Sequence, residues 1–163
     1  MTNRLKRLEL TWIGKEERPR LEPRILLEDE ELSYAKRVSN DDIFDNRLIH
    51  GDNLLALKAL EQEFAGRVKC IYIDPPYNTR ANDWKYNNDY VDGNDGYRHS
   101  KWLSFMEKRL QLAKRLLNPA DSALIVTIDE KEYLRLGLLL EQVFPNARRI
   151  QMVSSVINPK GTG

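Results

Sequence analysis

The spacing of apolar residues changes near Arg47. Upstream, residues 1 to about 45 mix charges and prolines with no sustained period. The stretch Arg18-Pro19-Arg20-Leu21-Glu22-Pro23-Arg24 blocks regular helix, and Glu28 to Glu31 is an acidic run. This reads as a charged arm over 1–46, either packed on a partner or on the rest of the chain, or partly disordered. From Leu48-Ile49-His50 onward the pattern becomes regular. That triplet predicts a short strand ending in Gly51-Asp52-Asn53. Leu54, Leu57, Leu60 and Phe64 then recur at helical spacing, with Gly66 as the stop. Val68 to Ile73 is β-branched and apolar, as in a strand covered on both faces, and Asp74 follows it directly.

Asn78 to Gly96 is rich in Asn, Asp and Gly, with Trp84, Tyr86 and Tyr90 among them. A loop of this length is usually functional or mobile. Trp102, Met106, Leu110, Ala113 and Leu117 predict a helix from about His99 to Asn118-Pro119. Ala123 to Ile128 predicts a strand ending at Asp129. Tyr133 to Phe144 predicts a helix stopped by Pro145, and Arg149 to Ile157 a further strand. The order β-α-β-loop-α-β-α-β argues an open α/β sheet over 47–163 with right-handed crossovers.

Composition narrows the classes. A chain of 163 residues suits one domain with a sizeable core. No apolar run could span a bilayer, and Met1 to Arg7 has no secretory character, so no membrane association is expected. The single cysteine, Cys70, excludes a disulfide framework and a cysteine-rich zinc site, and fits a reducing, cytoplasmic setting. His50 and His99 do not form a metal pattern. The net charge of +1 does not announce nucleic-acid binding. Lys101, Lys108, Arg109, Lys114 and Arg115 share one helix and are either an ordinary solvated face or a basic stripe.

In open α/β sheets, ligands bind outside the carboxyl ends of the strands. Asp52, Asp74 and Asp129 all fall at such ends. Asp74-Pro75-Pro76-Tyr77 is the informative set. Two prolines fix φ twice and remove two N–H donors, so the carbonyls of Asp74 and Pro75 sit in a stiff turn, free to accept from a ligand. Tyr77 adds a flat ring. A carboxylate, a carbonyl and an aromatic face suit the exocyclic amine of a planar base.

These residues resemble motif IV of the amino-methyltransferases, and the Asp-Pro-Pro-Tyr form is most typical of enzymes acting on adenine N6. The longer string Ile73 to Thr79, with His50-Gly51-Asp52-Asn53 before it, resembles the β group. That group includes the modification subunits of type III restriction–modification systems. Trp102-Leu103-Ser104-Phe105-Met106, Arg109-Leu110 and Ile128-Asp129 also match its catalytic half. The resemblance implies S-adenosylmethionine as cofactor and double-stranded DNA as partner, with a restriction subunit and a homodimer as further possible partners. It implies catalytic roles for Asp74, Pro75, Pro76 and Tyr77, with Asp74, Pro75 and Tyr77 on the flipped base. Gly51, Asp52 and Asp74 would serve the cofactor. Asp52 is equally a helix N-cap, and Asp129 reads as an N-cap for Glu130 onward. Trp84, Tyr86 and Tyr90 either cover the base, touch DNA or pack a folded-back loop. No covalent enzyme intermediate is needed, which fits a cysteine buried in a strand.

The resemblance also implies a partial, truncated Rossmann-like methyltransferase sheet. No strand–Phe-x-Gly-x-Gly–helix is found, since Gly161-Thr162-Gly163 has no helix behind it. In the β group that motif follows the target-recognition region, and both are expected to lie outside these residues. The strand at 48–50 would then lack a neighbour and the Val68 to Ile73 strand would have an open flank. The isolated chain is expected to bind S-adenosylmethionine weakly and not to methylate DNA. Competing readings are a cytosine-N4 or other amino-methyltransferase, and a non-catalytic module that binds DNA or a partner.

Overall fold

The computed structural model describes residues 9–17, 20–34, 39, 46–79, 84–86, 89–148 and 151–154. The described elements are α1 (Asn53–Phe64), β1 (Cys70–Ile73), β2 (Lys85–Tyr86), β3 (Asp89–Tyr90), α2 (Arg98–Leu116), β4 (Ala123–Val126) and α3 (Tyr133–Val143). The chain is a small α/β unit. β1 and β4 pair in parallel, from Cys70↔Ala123 to Ile73↔Val126, and α2 makes the crossover between them. β2 and β3 form a short antiparallel hairpin inside the long loop.

Local chemistry explains the helix ends. Asp52 accepts the N–H groups of Leu54 and Leu55 at 2.9 and 3.2 Å, satisfying two orphan donors of α1. After Phe64 the chain turns at Gly66, whose φ of +69° favours glycine, and its N–H reaches the Arg115 carbonyl at 2.8 Å. The end of α1 is thereby tied to the end of α2. Leu117 leaves α2 in an extended conformation and bridges to Val68, so the strand-like geometry begins one residue earlier than its apolar spacing suggests.

α2 is the spine of the core. Trp102, Met106 and Leu110 are fully buried on it, against Leu136, Leu139 and Val143 of α3. Ile73, Leu124 and Val126 close the same cluster from the sheet. Burial of each such side chain stabilises by roughly 1.5–3 kcal/mol. Trp84 and Val91, from the long loop, belong to this core, and Trp84 meets Phe105 edge-on at 5.5 Å.

Part of the charged arm docks here. Leu10 donates its N–H to Gln142 at 3.0 Å, and the Trp12 indole donates to Ser104 at 2.8 Å.

Four expectations are corrected. Residues 48–50 form no strand, and Leu48 is fully exposed at 101%, because it has no strand beside it to pair with among the described residues. β1 is covered on one face only. Ile71 and Ile73 face the core, whereas Cys70 is exposed and Tyr72 is 63% exposed, beside Ile125 at 50% on β4. All the described helices that contact the sheet's core side leave this second face bare, so Cys70 is not buried. Asp129 does not cap a helix at Glu130. It accepts the Lys131 N–H at 2.9 Å in a turn, and α3 starts at Tyr133 after Glu132. Of the strand expected at 149–157, residues 151–154 are irregular and the rest lies outside the described residues.

Candidate active site

Asp74 stands one residue past the end of β1, and Thr127 one residue past the end of β4. The parallel register Ile73↔Val126 makes them neighbours. Thr127 donates its hydroxyl to Asp74 Oδ1 at 2.5 Å, and its backbone N–H to the Ile73 carbonyl at 3.0 Å. The Tyr77 hydroxyl also lies near enough to act on the Asp74 carboxylate. The Thr127 hydrogen bond first, and the Tyr77 hydroxyl second, hold the Asp74 carboxyl below the usual aspartate range, although its surroundings are open to solvent. The same contact with Asp74 raises Tyr77 above the usual phenol value.

The Pro-Pro turn is held from beneath. Pro75 is buried, and the Pro76 carbonyl accepts the Trp102 indole N–H at 2.7 Å. Of the two carbonyls expected to face a ligand, that of Pro75 accepts no hydrogen bond among the described residues. The turn exits through Asn78, a fully buried residue at the left-handed φ of 55°. Its amide donates to Glu132, which also contacts His99 and has no exposed surface, and it accepts the Trp84 indole N–H at 3.2 Å. A buried carboxylate so partnered locks four segments together: the turn, the long loop, the start of α2 and the start of α3.

Asp74, Pro75, Pro76 and Tyr77 therefore form one constellation. Gly51 and Asp52 are exposed at the head of α1 and make no hydrogen bond to it among the described residues. Asp52 uses Oδ1 for both capping bonds, leaving a second oxygen for another donor. Gly51, at φ +152°, leaves open space where a Cβ would stand. Trp84 packs in the core, whereas Tyr86 lies under the Lys108 ammonium at 5.6 Å. The side chain of Tyr90 lies outside the described residues.

The basic residues of α2 have partners within the chain. Arg109 lies 3.5 Å from the Phe105 ring and donates to Asn53, and burial lowers its pKa to about 10. Lys101, Lys114 and Arg115 bond Asp95, the Val143 carbonyl and Glu61. These contacts favour a structural face over a phosphate-binding stripe. Two shallow clefts, of about 200 Å³ around Lys58 and about 260 Å³ around Phe64, include none of the site residues. Among the described residues no His/Cys/Asp/Glu group could hold a metal ion, and no helix is long and apolar enough to cross a membrane.

Thr127 and the Asn78–Glu132–His99 set were missed in the sequence. Thr127 carried a faint signal, being the one hydroxyl in the apolar run Ala123 to Ile128. Glu132 carried none, since its partners lie far away along the chain.

The family described as DNA methylase, the N6/N4 methyltransferases, matches residues 68–156, a span that starts just before β1 and includes the whole Asp74 constellation. The chain belongs to the DNA methylase family. The family's reaction requires a methyl donor. Relatives of this chain include a protein of Haemophilus influenzae named as the probable type III restriction–modification enzyme HindVI Mod subunit, 40% identical over 119 residues. That match covers 73% of this chain and 15% of the relative. The EcoPI Mod subunit of Escherichia phage P1 is 31% identical over 93% of this chain and 27% of its own length. The EcoP15I Mod subunit of Escherichia coli is 30% identical over 83% of this chain and 24% of its own length. The chain thus spans about a quarter or less of the length of these curated relatives.

Proposed function

We propose that this chain supplies the base-gripping part of a site-specific DNA methyltransferase that modifies adenine N6 within a restriction–modification system. The observation that carries this reading is the exposed Asp74 carboxylate at the mouth of β1, set beside a Pro-Pro turn and the Tyr77 ring. Likeness to type III Mod subunits supports the system, double-stranded DNA as substrate and a restriction subunit as partner. A homodimer of the complete protein, a cytoplasmic setting, the division at residue 46 and a partial Rossmann-like sheet belong to the same proposal. The parallel β1–β4 pair with its helical crossover supports that sheet.

Adenine N6 is a poor nucleophile because its lone pair is delocalised into the ring. In this reading Asp74 accepts one N–H of the amine and the Pro75 carbonyl accepts the other. Both contacts localise the lone pair on nitrogen. Positive charge grows there as the bond to the methyl group forms, and a fixed carboxylate stabilises that charge without reorganising. The amine is paired inside a duplex, so the base must leave the stack, and Tyr77 offers the ring on which it rests. The rigid turn, anchored by Trp102 and Asn78, keeps these acceptors at a fixed separation, which supplies the proximity contribution. Cys70 lies four residues upstream of Asp74, roughly 13 Å along the strand, so it takes no part in the chemistry.

S-adenosylmethionine, as donor, would supply an electrophilic methyl group. The residues present fit its adenosine end: Asp52 retains an exposed, unused carboxylate oxygen, and Gly51 leaves room beside it. Asp52 would accept from that end while still capping α1.

The test is methylation of unmodified duplex DNA by the complete protein with labelled S-adenosylmethionine, followed by nucleoside analysis. N6-methyladenine is expected. N4-methylcytosine, or label on protein glutamine, would overturn the substrate, and no transfer at all would overturn the enzymatic reading.

A further inference from the structure

Thr127 has a hydroxyl where a strand in this position needs none. The run from Ala123 to Val126 is apolar, and the backbone N–H of Thr127 already joins β4 to β1 through the Ile73 carbonyl at 3.0 Å. Its side chain has two acceptors within reach. The Ile73 carbonyl is at 3.4 Å, near the limit of a hydrogen bond, and Asp74 Oδ1 is at 2.5 Å. One hydroxyl proton goes to the nearer and charged acceptor, and such charge-assisted bonds are short and strong. Threonine is also stiff about χ1, because two heavy atoms on Cβ restrict it. The donor is therefore held by β4, not by the flexible end of a long side chain.

We infer that Thr127 is a positioning residue for methyl transfer: its hydroxyl occupies one lone pair of Asp74 Oδ1 and aims the rest of the carboxylate at the target amine. The inference rests on the function proposed above. Asp74 is one residue beyond its strand and exposed, so its carboxylate would otherwise rotate about χ2 and present either oxygen in a broad range of directions. Tyr77 also acts on it, but Tyr77 must serve the base with its ring. Thr127 is the partner that stays in place when substrate arrives. Its bond does not satisfy the carboxylate, which has about four acceptor sites.

The test uses the complete protein with duplex DNA and S-adenosylmethionine, comparing wild type, Thr127→Val, Thr127→Ala and Thr127→Ser. Losing a hydrogen bond to a charged group should lower kcat by about tenfold to a hundredfold in the Val and Ala variants. KM for DNA and for S-adenosylmethionine should change less than about threefold, because the hydroxyl acts on the orientation of Asp74 rather than on binding. Thr127→Ser, which keeps the donor, should recover most of kcat. Thermal unfolding of each variant identifies any that fail to fold, and the remaining hydroxyl-free variant then decides. Wild-type kcat in a folded Val or Ala variant would overturn the inference alone. So would equal loss in the Ser variant, which would mark a packing role. An inactive wild type would overturn the proposed function and this inference with it.

Discussion

Trp102 donates its indole N–H to the Pro76 carbonyl at 2.7 Å, so the turn that carries the candidate chemistry is pinned to the centre of the core helix. Trp102 has no exposed surface. One side chain therefore links the packing of α2 to the geometry of the turn.

Trp102→Phe separates these roles. It keeps most of the apolar volume and removes the donor. The expected destabilisation is about 1–3 kcal/mol, from the lost hydrogen bond to a half-buried carbonyl and a partial void. Trp102→Ala should cost about 3–5 kcal/mol. Urea unfolding of both variants checks the order. Equal stability of wild type and the Phe variant would show that the Pro76 contact contributes nothing.

Asn78 combines a left-handed backbone with a buried, doubly bonded amide. Asn78→Gly should relieve the backbone and lose only the side-chain bonds. Asn78→Ala should lose the bonds and also carry about 1–2 kcal/mol of left-handed strain. The Ala variant should then unfold at lower denaturant than the Gly variant, the reverse of the usual preference for alanine. Chemical denaturation of the two, followed by circular dichroism, measures this.

The sequence made some of this legible and hid the rest for physical reasons. α1, α2 and α3 were readable because an apolar stripe at helical spacing is a local signal, and Asp52 and Gly66 mark the ends of α1 within a few residues. The Asp74 turn was readable because consecutive prolines have few uses. The strand expected at 48–50 failed because a strand is a relationship with a neighbour, and the triplet Leu48-Ile49-His50 does not contain that neighbour. Cys70 was misplaced for the same reason: an apolar run does not say which of its faces is covered. The long loop hid a core residue, Trp84, since its burial depends on Asn78 and Phe105 rather than on any period. Glu132 looked like one more charge at the start of a helix, and only folding places Asn78 and His99 against it.

The lowered Asp74 carboxyl gives a pH dependence with a definite sign. A carboxyl depressed in the folded state contributes stability that is present above its unfolded value, about 3.9, and lost as pH falls through the lower folded value. The groups facing it are the hydroxyls of Thr127 and Tyr77, with Tyr72 acting on Tyr77 in turn. Between pH 8 and 5 Asp74 should stay ionised, and no decline of kcat should trace to it. Thr127→Val removes the larger cause of the depression, so any acid limb should move to higher pH. A pH–rate profile of the two proteins reads this directly, and an acid limb that moved downward would contradict the assigned contact.

Asp74→Asn is the sharpest single test of the site. It keeps the size of the side chain and replaces one acceptor oxygen with an amide N–H₂, so the group facing the target amine becomes partly a donor. If the carboxylate localises the N6 lone pair and stabilises the charge that develops there, the neutral amide loses both effects. Removing one such electrostatic contact typically lowers kcat by about a hundredfold to a thousandfold. DNA binding should be largely retained, because affinity for duplex rests mainly on phosphate contacts elsewhere. The fold should hold as well, since Asp74 is exposed and its loss leaves no buried charge unpaired. Methylation rate, duplex affinity at fixed salt and thermal unfolding are therefore expected to separate, with only the first falling steeply. Parallel loss of all three would assign Asp74 to structure, and a methylation rate within a few-fold of wild type would remove it from the reaction.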